Sequence, residues 1–141
     1  LQVFEAEPEN HAMLQAELAA PTLYDEFLRL VARRGLPVPD EVLHRDVTLA
    51  YEMSEALVDT ILEIYAHPEL HWDLYEACEE LVDLEDNFQF WRFRHLRVVT
   101  RTIGMKTGTG GSSGVGFLRR ALELTFFPEL FAVRTRIGAE A

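Results

Sequence analysis

The chain has 141 residues, 48% of them hydrophobic, enough for one core and a single domain spanning 1–141. Its net charge of -11 excludes a nucleic-acid backbone as partner, and no run of eighteen apolar residues offers a membrane span. Cys78, the sole cysteine, excludes an internal disulfide and covalently attached c-type haem; with the mixed, acidic opening LQVFEAEPEN it points to a reducing cytoplasm.

The chain opens on Leu1, not Met, and is expected to be a piece of a longer protein. Leu14 and Leu18 mark a short helix ended by Pro21. The next helix, TLYDEFLRLVARR, carries the stripe Tyr24, Phe27, Leu28 and Val31 and stops at Gly35, with Arg33 and Arg34 in its last turn. Pro37 and Pro39 form a non-helical connector. Leu57, Ile61, Ile64 and Tyr65 mark a third helix, from about Ser54 to Ala66.

A long helix is predicted from about Glu69 to Ile103, roughly 50 Å at 1.5 Å per residue. Its first half is acidic (Glu69, Asp73, Glu76, Glu79, Glu80, Asp83, Glu85, Asp86) and its second half basic (Arg92, Arg94, Arg97, Arg101), a polarity that suits the helix dipole. After Gly104 comes GTGGSSG, too rich in glycine to stay helical. A helix resumes near Val115 with Phe117, Leu118, Ala121 and Leu122, and Pro128 starts a last one through Leu130, Phe131 and Val133. The fold class is therefore all-α: a helical bundle with one long central helix followed by a Gly/Ser-rich loop.

At about 100° per residue, Leu81, Leu84, Phe88, Trp91, Val98, Val99 and Thr102 share a stripe with His95. Phe90, Phe93 and Leu96 interrupt the arginines elsewhere on the helix, a pattern of burial among other helices or at a subunit interface. His95 is expected inside, either as a core histidine satisfied by hydrogen bonds or as an axial haem ligand in a wall of Phe, Trp, Leu and Val. Pattern alone favours the core histidine. Cys78 lies roughly 25 Å from His95 along the helix, too far to share an iron, and reads as a small core residue. His11, His44, His67 and His71 lack the spacing of a zinc site. Gly108, Thr109 and Gly110 through Gly114 suit a backbone that turns sharply and approaches a polar ligand, or else a flexible linker. GxxxxGK[ST] is missing, which argues against a nucleotide loop.

WRFRH, the following isoleucine-glycine, GTGGSSGVGFL and LTFFPELFAVRT resemble the carboxyl-terminal half of bacterial tryptophan 2,3-dioxygenase, and the likeness runs from LQVFEAEPE to TRIG. The resemblance implies an all-α, haem b-dependent, cytoplasmic homotetramer that inserts O2 into the indole ring of L-tryptophan to give N-formylkynurenine, the first step of the kynurenine pathway. It implies that His95 is the proximal iron ligand; Trp91 and Val99, on the same stripe, are then expected beside the haem, Trp91 as pocket wall or core. Thr109, steadied by Gly108 and Gly110, would contact the amino-acid head group of the substrate. The family's distal histidine, its carboxylate-clamping arginine and its indole-lining aromatics belong to an amino-terminal half. No catalytic residue is therefore expected in this chain, and that half is the expected partner. The competing expectations are a haem-free helical interaction module and a haem-binding sensor, each keeping the fold without catalysis.

Overall fold

A computed structural model describes residues 8–104, 106 and 114–139. They form α1 (Pro8–Leu18), α2 (Leu23–Arg33), α3 (Asp40–Leu43), α4 (Glu55–Ala66), α5 (Trp72–Ile103), α6 (Gly114–Ala121) and α7 (Pro128–Ala132), with a 3-10 turn at Val133–Thr135. No strand occurs among the described residues, so the fold is all-α as the periodicity predicts. None of these helices is long and apolar enough to cross a membrane.

Two compact units divide the chain, one comprising Leu1–Cys78 with Phe127–Ala141 and the other Glu79–Phe126. In the first, α4 packs on α7 and the 3-10 turn, while α2 packs on α3. The stripe Tyr24, Phe27, Leu28 and Val31 is buried, as are Leu57, Val58, Ile61 and Ile64 of α4 and Leu130 of α7. Cys78 is also buried, as expected of a small core residue.

Local chemistry explains the helix boundaries. Thr22 and Asp25 form a reciprocal capping box, so α2 starts at Leu23, with Thr22 of the predicted TLYDEFLRLVARR as its cap. Gly35, at φ +85°, closes α2 in the left-handed region, where its amide and that of Leu36 bond back to Ala32 and Val31. Ser54 caps α4 with its hydroxyl, and Pro128 occupies the first turn of α7. The long helix begins at Trp72 instead of about Glu69, because Pro68 to His71 form separate turns closed by the Leu70 amide on His67 and the His71 amide on Pro68. The connector after Pro39 contains the short helix α3, which the two prolines concealed.

A polar network lies inside this first unit. Buried Glu129 accepts hydrogen bonds from the Tyr24 hydroxyl and the Ser54 amide, both at 2.9 Å. Tyr24 stacks on Tyr51 with ring centroids 4.0 Å apart, and the Arg45 guanidinium lies over Tyr51 at 4.8 Å. That guanidinium also grips Asp25 with both prongs, at 2.7 and 2.9 Å. Burial, with the Glu129 carboxylate behind it, pushes the Tyr24 phenol well above its ordinary value. Burial raises Asp25 as well, but Arg45 and the Thr22 donors outweigh it and hold the carboxyl below the ordinary aspartate range. No buried side-chain nitrogen or oxygen among the described residues lacks a partner.

Candidate functional site

The candidate site is built on α5 from Leu84 to Val99. One side of this helix is occupied by its own unit. Glu85, buried, accepts the Phe126 amide at 2.8 Å, and Gln89 and Arg92 both donate to the Leu124 carbonyl, at 3.0 and 2.8 Å. The Arg92 guanidinium lies 4.6 Å over the Phe126 ring, which Phe88 meets edge-on at 5.4 Å. Leu96 is buried along that side too. Residues 124–126 are thereby strapped to the Glu85, Gln89 and Arg92 side, and this fixes which side of α5 remains open.

One open side is the histidine stripe. Leu84, Phe88, Trp91, His95 and Val98 are all exposed, with Trp91 at 61% and Phe88 at 43%. Leu84, Asn87, Phe88 and Trp91 line a shallow groove of about 310 Å³. Trp91 and His95, four residues apart, stack with centroids 5.3 Å apart and planes 2° from parallel. Val99 is half-buried beside them. The sequence therefore placed these residues on one face but expected His95 inside. Here it is exposed, because the face that carries it has no covering element among the described residues. A bare strip of Leu, Phe and Trp of this extent marks a surface made to be covered.

The donor set limits what such a face can bind. No group of three or more His, Cys, Asp or Glu side chains converges anywhere among the described residues. His44 lies near Asp40 at 3.8 Å, and His67 near Glu69 at 3.5 Å, both exposed. The Thr100 and Thr102 hydroxyls bond back to the Leu96 and Val98 carbonyls of their own helix. His95 offers one imidazole amid flat apolar side chains, which fits a metal that brings its remaining equatorial ligands with it, as haem iron does. Thr109, Gly108 and Gly110 lie outside the described residues.

Sequence reasoning missed the network of Tyr24, Asp25, Arg45 and Glu129. Only the Thr22–Asp25 spacing signalled any of it; the contacts between Tyr24 and Glu129 span 105 positions and leave no local mark.

This geometry defines an all-helical protein whose long helix presents a single imidazole in an open apolar face. Residues 58–137 match the family model described as tryptophan 2,3-dioxygenase, and the chain belongs to that family. It is 64% identical over 139 residues to a tryptophan 2,3-dioxygenase of Kineococcus radiotolerans, covering 99% of this chain and 49% of that relative. The corresponding protein of an Arthrobacter species is 61% identical over 98% of this chain and 49% of its own length. That of Serratia proteamaculans is 55% identical over 99% of this chain and 50% of its own length. The chain thus spans about half the length of the curated relatives it matches.

Proposed function

We propose that this chain is the haem-holding, carboxyl-terminal portion of a cytoplasmic tryptophan 2,3-dioxygenase, which converts L-tryptophan and O2 to N-formylkynurenine as a homotetramer. The observation that carries this reading is the His95 imidazole set in an uncovered strip of Leu84, Phe88, Trp91 and Val98, in a member of this family. Haem b, when bound, supplies the dioxygen chemistry.

The contribution of this chain is to hold and to orient. His95, as neutral imidazole, is the iron ligand. Trp91 and Val99 flank it and keep water from that side. Thr109 hydrogen-bonds the amino-acid head group of the substrate, with Gly108 and Gly110 allowing the backbone to come close. This is catalysis by positioning, in which a displacement of about 1 Å costs around a hundredfold in rate. Acid–base and distal groups come from the amino-terminal half, so the chain by itself is inactive.

Co-expression with the amino-terminal half of the Kineococcus relative, followed by haem loading, tests this reading. The expected result is a Soret band and tryptophan-dependent N-formylkynurenine formation, both lost in His95→Ala. A parent assembly without a Soret band, or a His95→Ala assembly with an unchanged one, overturns it. Haem uptake with no spectral response to tryptophan points to a sensor instead.

A further inference from the structure

A helical side chain leans toward the amino terminus of its helix, so His95 falls back over the turn of α5 that carries Trp91, four positions earlier. There the imidazole and the indole lie with their planes only 2° from parallel. Both residues are exposed, so no core packing presses the two rings into line. The alignment comes from the pair itself.

A histidine that holds a metal is ordinarily oriented by an acceptor for its other ring N–H, such as a carboxylate. From Asn87 to Ile103, α5 carries no Asp or Glu. The Thr100 and Thr102 hydroxyls are turned to the Leu96 and Val98 carbonyls, and Arg92 is drawn off to the Leu124 carbonyl and the Phe126 ring. His95 makes no hydrogen bond or ion pair among the described residues. We infer that Trp91 is a positioning residue: its stacked indole holds the His95 imidazole in one plane, so that iron meets the ring in a single orientation. This role rests on the haem reading and goes beyond lining the cofactor, because an indole that served only as wall could meet the imidazole at any angle. A free imidazole on an open helix face has to be ordered when its ligand arrives; here the ordering precedes binding.

Two measurements test the role. In the 141-residue chain, NMR is expected to find the His95 ring protons shifted upfield by the indole, and Trp91→Leu to return them to the values of an ordinary exposed histidine. Such values in the parent would overturn the proposal, whatever haem does. In the haem-loaded assembly, Trp91→Leu keeps an apolar wall and removes the ring face. It is expected to retain a Soret band, to broaden or split the iron–histidine stretch in the resonance Raman spectrum, and to release haem to apomyoglobin about fivefold faster. Trp91→Phe restores a ring and should recover the single stretch, with release within about twofold of the parent. A Trp91→Leu assembly with the parent's stretch and release rate, or a Trp91→Phe assembly as impaired as Trp91→Leu, overturns the positioning role and leaves the haem reading intact. A parent without a Soret band ends the haem reading, and this role with it. Should Trp91→Leu fail to fold by circular dichroism, the ring-proton shifts of the parent and the behaviour of Trp91→Phe still decide.

Discussion

Asp25 shows how one residue ties local and long-range structure together. It caps α2 through Thr22 and holds the Arg45 guanidinium, itself stacked on Tyr51. Its folded-state carboxyl titrates below the ordinary value of 3.8, so the stability it contributes is complete above that pH and drains away as the pH falls through the folded value. Urea denaturation at a series of pH values should show this acid-side loss, and Asp25→Asn should flatten it. At neutral pH the same change strands a largely buried guanidinium, with an expected loss of about 3 kcal/mol. At Thr109 the expectation concerns affinity. In the haem-loaded assembly Thr109→Val should keep the Soret band but weaken tryptophan binding by about 1.5–3 kcal/mol, the cost of losing a hydrogen bond to a charged group; titration calorimetry measures it.

At the scale of elements, periodicity was a sound guide wherever a helix buries one face within the chain. The α2 stripe and the α4 positions Leu57, Ile61 and Ile64 are the core of their unit. Ile61→Ala should accordingly cost about 2–5 kcal/mol, read as a lowered urea midpoint with an unchanged slope. The same periodicity misled on α5. An apolar stripe reports that a face is meant to be covered and does not say by what, so His95 and Trp91 were expected inside and stand open. Helix ends were legible where glycine or proline imposes them, as at Gly35 and Pro128. They were less so where a turn precedes the helix, as at Pro68 to His71. The fold class and the membership of the candidate face could be read in advance; the pairing of Tyr24 with Glu129 could not.

At the scale of the whole molecule, a chain about half as long as its relatives leaves two sides of one helix bare. One carries the imidazole and the other exposes Phe90 and Phe93, while residues 124–126 occupy a third. The helix is therefore apolar on more sides than its own unit covers. Trp91 is one of two tryptophans; the other, Trp72, is exposed as well and stacks on Tyr75. Both indoles of the isolated chain emit from solvent. A quencher or a dry surface settling over residue 91 changes one of the two emissions and leaves the other as an internal standard, so occupancy of that face can be followed without a dye.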